Sequence, residues 1–478
     1  MTTDVAPPPV KRRWKRRVIV GGVLLLLAAL LAFWWIVVSP HWRLAAIVAE
    51  LDATDPNWRL AEIEARRAAV PDHENSALFM LALAKKAGSF EVYDGFGVYE
   101  KIFKAERPPP VQLNAQQVRY LQKHFAKLGP VLHEARKLKD MPRGRFPIEY
   151  HENGIDTHLE CAIARSFIDL FMHDGFLLAH EGKIDEALDS ALCCLNCGRS
   201  VGDEPLLSSF LIRFALTLFV YHGVERALAQ GEASDRALEK LQMELHAENQ
   251  QHRFPAALRG ERAAIHELCK SIQKGTTDPH KLRRLPAKGK MSFVEWLREK
   301  VPHDVVQGHA DLLREMTLSL EASKAPLHEL IPRMDAREKE FAARANYFAV
   351  QFATTTKKVT QVEVRCHVYL RCTYTALACE RYRLKHKDWP ASLDALVEAK
   401  LLDAVPDDPY DGKPLRYLRT KEGATVYSVG YDLADNKGKI DSNVPFFTPG
   451  YDLGVRLWDV PQRRQPPLPL VPLAREDE

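Results

Sequence analysis

The chain has 478 residues, with 67 Lys and Arg against 63 Asp and Glu and a formal charge of +4. That balance excludes a nucleic-acid binder, the more so because Lys11, Arg12, Arg13, Lys15, Arg16 and Arg17 sit together at one end. Eight cysteines in a chain of this length exclude a disulfide scaffold of the small secreted kind.

The basic tip, residues 1–17, is followed by an uncharged apolar run from Val18 to Val38, which at 1.5 Å per residue reaches about 30 Å, the thickness of a bilayer core. The run ends in Phe33, Trp34, Trp35 and Ile36 without a small-x-small cleavage pattern, so it reads as an uncleaved anchor. Cations lead the run, and Glu50, Asp52 and Asp55 follow it. The positive-inside bias then puts the N-terminus in the cytosol and the body outside it, on the periplasmic side of an inner membrane. Membrane lipid is the partner expected for residues 18–38 and for the basic tip.

Residues 39–333 read as an extracytoplasmic helical region. Leu44, Ile47, Val48 and Leu51 recur at helical spacing, and Asp55-Pro56 reads as an N-cap with proline in the first turn. A second break falls at Pro71-Asp72, Ser89 to Val98 is rich in glycine and aromatics, and a helix is expected from Ala115 to Leu128. Cys161 to Glu248 is the most strongly helical stretch. Within it, Phe210 to Val220 is very apolar but short and holds Arg213, so a buried core helix is expected there in preference to a second span. Ala179 to Ala187 resembles the inter-helix turn of a tetratricopeptide repeat, with Gly182 ending one helix and Ala187 and Cys194 as small packing residues of the next; no copy follows at a period of 34. The basic stretch Gly275 to Gly289 reads as an exposed connector.

Residues 334–450 read as a long helix, bent near Thr354–Thr360, leading into a small α+β module. Pro390 stops the helix, and Leu415–Leu418 with Thr425–Val429 form a β-hairpin around Lys421-Glu422-Gly423. Residues 451–478 read as a proline-rich tail that need not pack. The fold expected is thus mainly α: an N-terminal transmembrane helix, a body of helical hairpins and a C-terminal α+β module.

That module carries a family resemblance. Ala376 to Pro390, Ser392 to Val397, Val405-Pro-Asp-Asp408-Pro-Tyr-Asp411-Gly-Lys-Pro-Leu-Arg-Tyr417 and Val426-Tyr-Ser-Val-Gly-Tyr-Asp432 resemble the globular half of the major pseudopilin of type II secretion systems. The resemblance implies a pilin-like fold, a link to secretion machinery and a calcium-binding loop after the hairpin. The chain departs from the family in lacking a prepilin cleavage site and in placing about 300 residues between span and module, so a processed filament subunit is not expected. The whole arrangement, with Asp55-Pro-Asn-Trp58 and Glu74-Asn-Ser-Ala77, also resembles single-span bacterial envelope proteins to which no activity is attached.

Asp432, Asp435, Asn436 and Asp441 around Gly438 offer the hard oxygen ligands calcium takes, although the spacing is not that of an EF-hand and Asx-rich loops also satisfy their own backbone. Cys193, Cys194 and Cys197 lack a second ligand pair at zinc spacing, and Cys366, Cys372 and Cys379 are too far apart on one helix to pair, so both groups read as core fillers. For catalysis the one polar cluster is His151, Glu152, Asp156 and His158 with Cys161, and no phosphate loop, nucleophile elbow or zinc helix is present. The functional expectation is an envelope protein working through contacts with a protein partner; the alternative is a membrane-tethered hydrolase with its site in the helical body.

Overall fold

The computed structural model describes residues 11–87, 103, 108–147, 150–151, 154–155, 158–251, 253–279, 302–353, 355–441, 444–445 and 447–470. Ser89 to Val98 and most of the basic stretch Gly275 to Gly289 lie outside them.

The chain begins as a helical rod. Helix α1 (Lys11–Phe33) passes through a π-turn, Trp34–Val38, into α2 (Ser39–Thr54). The cause of the π-turn is Pro40, which has no N–H to give the carbonyl four residues back. The register slips by one, so that the Ser39 N–H bonds to the Trp34 carbonyl and the Ser39 hydroxyl donates to that of Trp35 at 3.2 Å. The expected single α-helix over Val18–Val38 is therefore divided between α1 and the π-turn. By length and composition, the helix among the described residues able to cross a membrane is not this N-terminal one but Leu207–Gln230, half of whose apolar stretch is buried.

Asp55 is not the N-cap its proline neighbour implied. It ends α2 instead, and its carboxylate takes the guanidinium groups of Arg259 and Arg262. Helix α3 (Leu60–Ala65) starts four residues later, with Glu62 accepting from the Arg59 N–H at 3.1 Å. Then come α4 (Ser76–Ala87) and α5 (Ala115–Ala135), the latter opened by an Asn114–Gln117 capping box. After a two-residue ladder of β1 (Tyr150–His151) and β2 (Gly154–Ile155), the body is built from α6 (His158–His180), α7 (Ile184–Arg199), α8 (Leu207–Gln230), α9 (Asp235–Asn249), α10 (Arg253–Lys274), α11 (Pro302–Ala322) and α12 (Leu327–Arg344). Gly182 sits at φ +79° in the α6–α7 turn, a conformation glycine adopts without penalty. Ala187 and Cys194 are buried where α7 packs on α6. Helix α8 is the core helix the sequence implied, packed against α6, α7, α10 and the C-terminal elements.

The long helix breaks twice. Asn346 caps a short α13 (Tyr347–Phe352), and α14 (Thr356–His386) follows, ending in the left-handed Lys387 before Pro390. The β-branched patch thus lies at the start of α14 rather than at a bend within it. After α15 (Asp394–Glu398), strands β3 (Arg416–Arg419), β4 (Gly423–Ser428) and β5 (Leu453–Trp458) form an antiparallel sheet in the order β3-β4-β5, with Tyr417 opposite Val426 and Val426 opposite Val455. β5 lies inside the segment read as an unpacked tail. Beyond it Arg463 is 7% exposed, so the tail packs at least that far.

α14 lies against α9, α8, α12, β4 and β5 at once, and one apolar core runs without interruption from Ala77 to Leu457. A second, smaller core gathers Ile47 and Leu51 of α2, Trp58, Ile63, Ala263, Ala310 and Leu313. It is what fixes the N-terminal rod to the body.

Candidate functional site

The loop that follows β4 starts from a buried carboxylate. Asp408 accepts from the Ser428 hydroxyl at 2.7 Å, from the Val429 N–H at 2.9 Å, from the Tyr410 N–H at 2.9 Å and from Arg416 at 2.8 Å. From this base the loop runs to Asp432, whose carboxylate accepts the N–H groups of Ala434 at 3.0 Å and Gly450 at 2.7 Å. Burial opposes its ionisation, but the Gly450 and Ala434 N–H groups outweigh it and hold the carboxyl below the usual range. Asn436 meets Asp432 at 3.5 Å. Asp435 turns instead to Lys437, whose ammonium and N–H hold its pKa low, and to the Tyr427 hydroxyl at 3.1 Å. Asp441 is exposed.

Asp452, which the sequence reading missed, is the residue that closes the loop. It is 1% exposed and accepts the Asn436 N–H at 3.2 Å and the Gly438 N–H at 2.7 Å; burial raises its pKa. The expected calcium ligands are thus brought into one loop, with Asp432, Asp435 and Asp452 engaged by N–H groups. Among the described residues no group of three or more His, Cys, Asp or Glu is arranged to hold a metal.

The polar cluster His151, Glu152, Asp156, His158 and Cys161 lies, in its side chains, outside the described residues. Cys193, Cys194 and Cys197 are buried and free, and burial raises all three thiols. Cys372 and Cys379 are likewise buried and free.

The widest hollow is a groove of about 580 Å³ between α9, α14 and residues 400–407. Arg371 forms part of its floor, donating to the Asp407 carbonyl at 2.6 Å, and His246 meets Tyr374 edge-on. Met243, on its rim, is 66% exposed. Mixed polar and apolar walls of this kind suit a chain segment better than a small substrate. A second hollow of about 200 Å³, lined by Leu312, Met316, Phe341 and Val350, opens between α11, α12 and α13.

No protein-family model, curated protein or solved structure matches this chain.

Proposed function

We propose that this protein is a membrane-anchored interaction protein of the bacterial envelope, its body on the periplasmic side, with the C-terminal module as a docking unit linked to secretion or pilus-like machinery. The observation that carries the reading is the N-terminal rod. Val18, Leu25, Leu31, Phe33, Trp34 and Trp35 are all more than half exposed, an apolar surface far larger than a soluble chain leaves open. The same rod is locked to the body through the Arg43–Asp311 bond at 2.7 Å and the Asp55–Arg259 bond at 2.8 Å. A bilayer around residues 18–38 satisfies the first fact, and a fixed orientation of the body to the membrane follows from the second. Cations ahead of the span favour a cytosolic N-terminus. The pseudopilin-like reading of the module draws support from the order of its parts, a long helix followed by an antiparallel sheet and an Asx-rich loop.

The test is crosslinking and capture of tagged full-length protein from native membranes. Recovery of secretion or envelope-assembly components supports the reading. Recovery of the protein alone, under conditions that capture a known complex, overturns it. Release from membranes by alkaline carbonate would remove the anchor.

A further inference from the structure

The way α2 and α11 are tied together fixes which end of the body faces the end of the apolar run. Arg43 of α2 bonds to Asp311 of α11. Farther along α2, Asp55 is joined through Arg262 to Thr317, Arg262 donating to the Thr317 hydroxyl at 3.2 Å. Both helices therefore run in the same sense, and the residues of α11 ahead of Asp311 lie back toward Val38. Asp304 is about 10 Å back along α11, and Val38 is about 7 Å back from Arg43 along the rod. The start of α11 is thus level, within a helical turn, with the end of the apolar run.

Helix α13 is packed on this start. Asn346 donates to the Asp304 carbonyl at 2.7 Å, and Gly308 leaves room for Phe348 and Ala349 to press against it. Val350 of α13 is 49% exposed on the outside of that contact. The first turn of α14 follows at once, with Lys358 exposed and Lys357 bound to Asp335. Tyr431 of the Asx-rich loop lies within electrostatic reach of Lys357. Tyr431 is 42% exposed, and Leu433, beside it, is 59% exposed on a backbone at φ +59°. A leucine side chain in the left-handed region is unfavourable by roughly 1 kcal/mol, so neither its conformation nor its exposure is a resting choice in water. Three apolar side chains from separate elements therefore share one end of the molecule with Trp35 and Trp42, which are also exposed.

We propose that Val350, Tyr431 and Leu433 form a second membrane contact, entering the headgroup layer of the bilayer that α1 crosses and holding the body against it. The proposal rests on the reading of α1 as a span. The occupant is a phospholipid surface because the face is continuous with the rod that enters it. Tyr431 brings an amphipathic ring suited to that layer, and the exposed Lys358 amine is placed to meet phosphate.

The test uses full-length protein in phospholipid vesicles, carrying one fluorophore at a time on Val350→Cys, Leu433→Cys, Leu27→Cys within the rod, or Lys324→Cys just past the far end of α11, each corrected for label on the wild type. Quenchers are phospholipids with a nitroxide on the headgroup or deep in the acyl chain. The expected result is at least twofold quenching of the Val350 and Leu433 labels by headgroup nitroxide, quenching of Leu27 by acyl nitroxide, and little effect at Lys324. If Leu27 is quenched while Val350 and Leu433 behave like Lys324, the anchor stands and the second contact is overturned. Val350 and Leu433 shielded from water yet unquenched by either lipid would mean a protein covers this face, which also overturns it. An unquenched Leu27 removes the anchor and the proposal together.

Discussion

Asp408 and Ser428, 20 residues apart, share a 2.7 Å hydrogen bond beneath the sheet. The aspartate enters ahead of β3 and the serine ends β4, so one buried carboxylate ties the incoming segment to the start of the Asx-rich loop. Removing it strands Arg416 with Asp411 as its remaining carboxylate partner and leaves the Val429 N–H unpaired. Asp408→Ala is expected to cost about 3–5 kcal/mol, read by denaturant unfolding. A loss below 1 kcal/mol would show that the carboxylate is replaceable.

Glu248 stands between Arg199 and Arg213, bonded at 2.9 and 2.7 Å, with Arg253 nearby. Burial alone would raise its pKa, but Arg213, Arg199 and Arg253 reverse this and hold it at about 2. A depressed carboxyl stabilises above its unfolded value and loses that contribution as pH falls toward the folded one. Glu248→Gln is therefore expected to cost about 3–5 kcal/mol at pH 7 and progressively less below pH 4, measured by urea unfolding at both.

Glu225 behaves oppositely. Its carboxylate accepts the Arg456 N–H at 3.0 Å, yet burial pushes it up to about 7. A raised carboxyl is fully favourable below about 4.5 and loses that advantage as pH rises through 7. Glu225→Gln should leave Tm unchanged at pH 4.5 and raise it above wild type at pH 8. Parallel Tm curves for the two proteins would refute the assignment.

Arg463 joins the C-terminal segment to the long helix. It donates to Glu380, which is fully buried, at 3.0 Å and to the Gly231 carbonyl at 2.6 Å. Arg383 remains beside Glu380 when Arg463 is removed, so the expected cost of Arg463→Ala is about 3 kcal/mol. Limited proteolysis should then cut after β5, and an unaltered digestion pattern would count against a clasp.

In the Asx-rich loop, Asp452→Ala leaves two N–H groups unpaired and should lower Tm more than Asp435→Ala, by about 1–3 kcal/mol of stability. With Asp432, Asp435 and Asp452 already accepting N–H groups, millimolar calcium is expected to leave Tm unmoved. A rise that disappears in Asp432→Ala would instead establish the cation site.

Several elements were legible in the residues. The hairpin strands fall within two residues of their expected ends, Gly182 closes its helix, and the Arg213-bearing apolar stretch is a core helix. These follow from local chemistry: alternation, a required positive φ, and a charge within an apolar run. Asp55 misled because a proline neighbour has the same appearance at a helix start and just past a helix end, and the arginines that claim its carboxylate lie more than 200 residues away. β5 and Asp452 were hidden because proline-rich sequence nearby implied a tail, and a strand is defined by the partner it pairs with.

The sequence by itself determined a helical body with a small C-terminal sheet, a basic tip before an apolar run, and the carboxylates gathered after the hairpin. Hydrophobic period and turn chemistry are local properties, and they act before the chain is folded. Only the tertiary structure decided that α14 shares its core with both body and sheet, that Asp452 closes the loop, that Arg463 clasps Glu380, and that the apolar residues of α13 and the loop share the end nearest Val38. Each of these depends on which distant groups meet, and in a buried environment a charge or N–H group is stable only beside a partner that the folded chain supplies.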